Sequence, residues 1–380
     1  MAKAAEIRPI LRLKSAPERD REPATSEAEA TLPRRFVVRL LVVCGVLACG
    51  LAVAVVAGVA LGPVRIPPLE VVTALADDLG LPLPGGGAGG EHATVINYIR
   101  LPRVLVGALV GAALGIAGAT MQAVFRNPLA EPGVIGVSSG AALGAVAAIY
   151  FGWTALTPWM LPATAFVGAV AAMGFVFMVA ALRRDQGPVT LLLVGIAVSA
   201  FFGALISVMV ATTTNNDELR GIVFWLQGGL GARTWQHVQL AAVPVVAGCL
   251  LLTVFGRDLN VLLLGDDGAR AAGLDVARQR VVILGLTSLL TGAAVAVSGV
   301  IGFVGLVVPH ALRLVIGPDN RILLPASALG GAAFLVLADL IARVAFSPTS
   351  LQVGIVTALF GAPVFLALVL RRRGTSGGLR

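Results

Sequence analysis

Apolar residues fall into long unbroken blocks, and the polar positions between them form short clusters rich in arginine. A helix crossing a bilayer needs about 20 apolar residues. Blocks of that order cover residues 36–61, 104–125, 134–152, 161–182, 189–211, 237–255, 322–346 and 351–370. A further block, 281–316, is longer. Read as one helix its length would be about 54 Å, too much for a hydrocarbon core of about 30 Å. Gly299, Gly302 and Gly305, followed by Pro309, interrupt it. It therefore predicts two crossings joined by an irregular glycine-rich turn. Backbone of that kind at membrane depth must face protein or a water-filled cavity. The piece 218–226 is too short to span.

This pattern predicts an all-α polytopic membrane protein with ten transmembrane helices spread over residues 36–373. The polar segment 1–35 reads as a disordered cytoplasmic tail, and 374–380 as a C-terminal cytoplasmic tail. The stretch 62–99 reads as an outer connection, with a glycine-rich run near residues 84–90.

Charge supports the count. With the N-terminus inside, only Arg65, Arg100, Arg103, Arg220, Arg233 and Arg343 lie outside, six of 28 basic residues, which leaves 22 inside. That is the bias expected of cytoplasmic loops. Nine crossings would put Arg371, Arg372 and Arg373 on the wrong side. Composition agrees: 57% of residues are hydrophobic, only 13% are charged and mean hydropathy is +0.93. A soluble globule carries about 25% charged residues, so the solvent here is lipid. The net charge of +8 follows topology and gives no reason to expect nucleic acid.

Several chemistries are absent. No G-x-x-x-x-G-K-[ST] occurs, and both lysines, Lys3 and Lys14, lie in the tail. The chain is therefore not its own P-loop ATPase. Cys44, Cys49 and Cys249 sit inside apolar blocks and form no C-x-x-C pair, so neither a disulfide framework nor a zinc site is supported. The middles of the spans hold almost none of the acids that a proton-coupled pump would keep there. The nearest candidates, Glu131 and Asp339, fall near span ends. Energy is thus expected from a separate protein.

Two local patterns stand out. Gly107, Gly111 and Gly115 recur every four residues, with Gly118 and Ala119 beyond. They place small residues on one helix face, where another backbone can approach closely. Packing within the bundle is the simpler reading, a dimer contact the other. Then Arg126-Asn127-Pro128-Leu129-Ala130-Glu131-Pro132-Gly133 carries two prolines that no regular helix accommodates. With Ser138 and Ser139 just beyond, this polar, irregular connection is where a solute path would run.

These residues resemble the signature of FecCD-family permeases, the membrane subunits of ABC importers for iron-siderophores, heme and vitamin B12. The likeness begins with RLPRVLVGALVGAALGIAGATMQAVFRNPLAEPGVIGVSSGAALGA. It continues through FWLQGGLGARTW, LLLGDDGARAAGLDV, GVIGFVGLVVPHALRL, LADLIARV and GIVTALFGAPVFLALVLRR. It covers about residues 100–373 in order, and the ten predicted spans agree with that family's type II ABC-importer fold.

The resemblance implies roles. Within the polar run 256–280, Gly265, Asp266, Asp267, Ala269, Arg270 and Gly273 would form a coupling helix seated on an ATPase. Asp266 is expected to cap this helix and Gly273 to end it. Arg100, Arg103 and Arg343 would dock acidic residues of a solute-binding protein. Interface snorkelling or helix capping is the plain alternative for them. Asn127, Pro128, Ser138, Ser139, Thr212 and Thr213 would line the translocation path and its gates. Residues 185–188 would lie near the inner gate; for Thr212 and Thr213 the plain alternative is a helix end, with Asp217 as the N-cap of the short helix that follows. His310 belongs to a motif shared across the family whatever the cargo, and His92 and His237 read as ordinary outer histidines.

The implied partners are ABC ATPase subunits, an extracytoplasmic solute-binding protein and a second permease copy or paralogue. The expected setting is the bacterial cytoplasmic membrane. The chain itself is expected to bind no cofactor or metal, with ATP and Mg on the partner ATPase. The expected cargo is a ferric siderophore or heme, with cobalamin as the alternative. A secondary transporter or a membrane assembly protein are the competing classes.

Overall fold

The computed structural model describes residues 34–78, 80–81, 90–182, 187–345 and 350–373, and among them every regular element is helical. Residues 1–39 and 40–380 form two separate units, and the account below concerns the second. The first helix, α1 (Arg34–Ala60), begins just inside the segment expected to be tail. The rest of that tail, residues 374–380, most of the outer glycine run and residues 183–186 lie outside the described residues.

The outer connection holds α2 (Pro68–Asp78) and α3 (Gly90–Thr94). A π-helical turn, Val95–Arg100, runs directly into α4 (Leu101–Val124), with Pro102 close to the junction. After α4 come a 3-10 turn (Pro132–Ile135) and α5 (Val137–Tyr150). Then follow α6 (Met160–Leu182), α7 (Pro188–Thr212) and the short α8 (Asn216–Leu226). Next are α9 (Trp235–Val254), α10 (Gly256–Leu262) and α11 (Asp266–Ala271). The chain ends with α12 (Val276–Ser298), α13 (Val304–Ile316), α14 (Asn320–Val344) and α15 (Val353–Arg373).

Among the described residues, seven helical stretches are long and apolar enough to cross a bilayer: α1, the α3–α4 run, α6, α7, α9, α12 and α14. Three shorter apolar helices, α5, α13 and the apolar part of α15, complete the ten predicted segments. The break inside 281–316 falls where the glycines put it, between Ser298 and Val304.

Burial separates centre from periphery. The apolar windows of α4 and α12 are 78% and 72% buried, whereas those of α7 and α9 are 17% buried. The glycine face of α4 explains its position. A methyl group on Gly111 or Gly115 would strike the backbone of α14 at Gly331 or Ser327, and one on Gly118 would strike Gly305 of α13. The four-residue repeat therefore serves packing within the chain. Gly140 and Gly144 do the same for α5 against α6, at Gly168 and Thr164.

Three irregular segments meet at the end of α8. Gly229 N donates to Ser298 O at 2.8 Å, and Gly354 N donates to Gly228 O at 3.1 Å. Gly299 takes φ +70, and a side chain there would also strike Trp225 O. The broken backbone between α12 and α13 is thus covered by protein, as its place in an apolar run demands.

Candidate coupling and translocation sites

At the outer end, the cluster of arginines is internal. Arg100 is 5% exposed and donates to Val59 O at 2.6 Å, to Ala60 O at 3.0 Å and to Val64 O. Its guanidinium closes the orphan carbonyls at the C-terminus of α1. Arg103 grips Asp339 with two nitrogens, Nε at 3.0 and 3.1 Å and Nη2 at 2.7 Å. Arg343 Nε lies 3.0 Å from the same carboxylate, and its Nη2 donates to Gly58 O at 2.8 Å. Asp339 is 2% exposed and Arg343 8%. The three arginines expected at a docking surface therefore tie α1, α4 and α14 together, and only Arg103 keeps an edge toward the surface. The sequence held one clue to this: Asp339 and Arg343 are four apart on a helix, the spacing of an intrahelical ion pair.

Beside that cluster lies a cavity of about 750 Å³. Its walls include Ile149, Asp217, Glu218, Phe224, Trp225 and Arg233. Arg233 donates to Gly229 O at 3.2 Å, and its buried Nε has no hydrogen-bond partner. Burial and then the neighbouring Arg103 lower its pKa to about 10, so it stays charged at neutral pH.

The residues expected at the gates form two groups. Thr212 donates to Val208 O at 2.8 Å and meets Tyr150 Oη at 3.1 Å, while Thr213 donates to Met209 O at 2.7 Å. Their hydroxyls are satisfied on α7. At the other end of α5, Ser139 donates to Gly136 O at 2.9 Å, and its Oγ lies 3.1 Å from Ser199 Oγ of α7. Ser138 is half-buried beside Gly133. Asn127 Oδ1 accepts from Leu129 N at 3.0 Å, a local turn around Pro128. The cap of α8 is Asn215, whose side chain accepts from Asp217 N at 3.0 Å, and not Asp217 as the sequence suggested.

At the cytoplasmic end, α11 presents two faces. Gly265 precedes it at φ +94 and Gly273 follows at φ +85, conformations suited to glycine. Gly273 ends the helix as expected. Asp266 does not cap it: no side-chain cap is made. Its carboxylate points to Arg126 Nη2 at 2.8 Å and to Arg280 Nη2 at 2.9 and 3.0 Å. Two guanidiniums outbid a backbone N–H for a carboxylate because charge-assisted bonds are the stronger kind. Ala269 is fully buried on the same side. Asp267, Arg270, Ala271 and Ala272 are exposed on the other, with Arg270 Nη1 3.1 Å from Asp267 Oδ1.

Glu131 completes the set. Its Oε1 accepts from Phe303 N at 2.7 Å, at the start of α13 where the helix dipole favours a carboxylate. Burial pushes its pKa up, and the Phe303 bond partly offsets that rise. Neither this contact nor the Arg126–Asp266 pair, 140 residues apart in sequence, leaves a local pattern that sequence reading can detect. The histidines have structural uses. His92 Nδ1 sits 2.7 Å from Glu70 Oε2, and His237 Nδ1 lies 3.3 Å from Thr234 N at the start of α9. Among the described residues no group of three His, Cys, Asp or Glu is placed to hold a metal.

A helical bundle with a broken crossing, an outer cavity, a polar loop at its inner end and an exposed cytoplasmic helix defines a polytopic membrane permease. The chain belongs to the FecCD transport family, whose model matches residues 50–371. It is 44% identical over 328 residues to an uncharacterized ABC transporter permease, YvrB of Bacillus subtilis (strain 168), covering 85% of this chain and 91% of that one. It is 47% identical to the cobalamin import system permease BtuC of Halobacterium salinarum, over 73% of this chain and 74% of that one. It is 42% identical to the hemin transport system permease HmuU of Yersinia pestis, over 74% and 84%. A solved inward-facing structure of a metal-chelate type ABC transporter matches with a TM-score of 0.76 and 31% identity, covering 86% of this chain and 98% of that one. The chain is thus an ABC importer permease, a multi-pass membrane protein.

Proposed function

We propose that this chain forms the path of an ATP-driven importer that moves a bulky metal chelate, heme or a ferric siderophore, into the cytoplasm. The observation that carries the reading is the family match along residues 50–371, in a chain with no nucleotide-binding motif of its own. Cobalamin is the second reading, favoured by the 47% identity to a cobalamin permease. All three cargoes are large chelates with anionic or polar rims. The outer cavity, about 750 Å³, combines Trp225 and Phe224 with Arg233 and the carboxylates Asp217 and Glu218 in its wall.

ATP and Mg would be held by separate ATPase subunits, and this chain would bind no cofactor. The exposed side of α11, with Asp267, Arg270, Ala271 and Ala272, is the face offered to such a subunit. Small side chains let a partner approach closely, and Arg270 supplies a charge at the helix C-terminus for an acidic partner residue. An extracytoplasmic binding protein would deliver cargo at the outer end. With Arg100 and Arg343 engaged inside, Arg103 is the one of the three with an edge to offer it. The path would be completed by a second copy or a paralogue.

The test is iron-limited growth of a deletion strain on heme, on a ferric siderophore or on neither, with a parallel cobalamin-dependence assay. Loss of growth on one iron source names the cargo. A cobalamin defect alone moves the assignment to vitamin B12. Normal growth in every arm, together with no ATP-dependent uptake by the purified complex, rejects the reading.

A further inference from the structure

The loop between α4 and α5 is tied at both ends to other parts of the protein. At its start, Arg126 Nη2 reaches Asp266 Oδ1 of α11 at 2.8 Å. Arg126 itself takes φ +50, a left-handed conformation that a non-glycine residue keeps only where surrounding contacts fix it. At its end, Glu131 Oε1 accepts from Phe303 N at 2.7 Å, in the irregular segment that breaks the α12–α13 crossing. The link between the two ties is short and stiff. Asn127 N donates to Gln122 O at 3.1 Å, Leu129 N donates to Asn127 Oδ1 at 3.0 Å, and Pro128 fixes its own φ.

We propose that Arg126 is a positioning residue that ties this loop to α11, so that displacement of α11 by a bound ATPase is carried to the cytoplasmic end of the path and, through Glu131, to the break before α13. The inference rests on the importer reading above. Its geometry separates two jobs of one carboxylate. Arg280, 5% exposed, binds Asp266 with two bonds and holds α11 on α12. Arg126, 36% exposed in its side chain, binds the same carboxylate from the loop. Removing Arg126 therefore leaves α11 seated and its outer face unchanged, and frees only the loop. A partly exposed ion pair adds little to stability, so loss of the tie is expected to leave the fold intact.

The experiment uses the full chain, purified with any P-loop ATPase it retains and placed in nanodiscs. Cys44, Cys49 and Cys249 are replaced by Ser, and Leu129→Cys, at an exposed loop position, is labelled with a soluble maleimide with and without ATP–Mg. In this parent, ATP–Mg is expected to change the labelling rate by about fivefold or more, the scale of ordinary coupling between sites. In the Arg126→Gln variant that change is expected to vanish while ATP hydrolysis stays within about twofold of the parent, and Arg126→Lys restores most of it. The proposal is overturned if Arg126→Gln keeps the full ATP-dependent change, or loses it only in proportion to hydrolysis. It is also overturned if the parent hydrolyses ATP with no change at position 129. A parent that neither binds an ATPase nor hydrolyses ATP overturns the importer reading, and the tie with it.

Discussion

The two ends of α4 carry the same chemistry in different solvents. At the outer end one carboxylate, Asp339, faces Arg103 and Arg343, and all but the edge of Arg103 is buried. At the cytoplasmic end one carboxylate, Asp266, faces Arg126 and Arg280, and only Arg280 is buried. Breaking a buried pair leaves an uncompensated charge and costs about 3–5 kcal/mol, whereas exposed pairs are worth about 0–1 kcal/mol. The outer cluster therefore belongs to the fold. The inner one can change partners at low cost, which suits a segment expected to move.

The largest effect is expected from Asp339→Asn. It leaves the buried guanidinium of Arg343 and the half-buried one of Arg103 with no counter-ion. A loss of about 3–5 kcal/mol is expected, seen as a large drop in the melting temperature of the detergent-solubilised protein. Charge reversal at Arg100 belongs to the same class. A carboxylate there would face the carbonyls of Val59 and Ala60, so the expected phenotype is loss of folded protein. Normal melting of the Arg100 variant with impaired binding-protein docking would return Arg100 to the surface role its sequence position suggests.

Arg280→Gln comes next. Its guanidinium is buried, but Asp266 keeps Arg126, so the charge left behind is still paired. A loss of about 1–3 kcal/mol is expected, the range for an unsatisfied buried polar group. A loss as large as that of Asp339→Asn would mean the two clusters are energetically alike, and the contrast between the ends would fail. Arg126→Gln should sit below both, under about 1 kcal/mol, with its main effect on coupling as described above.

The fold was far more legible in the sequence than the sites, and the reason is physical. Apolar block length, the glycine repeat of α4 and the break near Gly299 are local signals, set by bilayer thickness and by backbone contact. Each appears in the structure where the residues put it. The sites depend on pairs far apart in the chain. Arg103 and Asp339 are 236 residues apart, and Glu131 and Phe303 are 172 apart. Nothing local announces them. The outer arginines suggest a docking surface because the partners of two of them lie in other helices: the α1 carbonyls for Arg100 and Asp339 of α14 for Arg103. The same limit applied to Asp266, whose neighbours in sequence suggested a cap and whose neighbours in space are two arginines.

The smallest effect tests the cytoplasmic end once more. Asp319 precedes α14, at the opposite end of that helix from Asp339, and its carboxylate is bound by Arg321 at 2.6–3.1 Å and by Asn260 at 2.7 Å. The Arg321 bonds are the main cause that holds its pKa down at about 2, against about 3.9 in an unfolded chain. A depressed carboxylate contributes its stability in full above the unfolded value and loses it as pH falls through the folded one. The contribution is therefore complete above about pH 4 and fades toward pH 2. Both side chains are partly exposed, so it stays below about 1 kcal/mol. Asp319→Asn preserves a side-chain acceptor for the helix cap and removes only the charge. The melting temperatures of wild type and Asp319→Asn should differ slightly at pH 5 and converge as pH approaches 2. A gap that stays constant over this range would mean that the pair at this end is not set by charge. Burial alone would then no longer explain why the ends of the molecule differ.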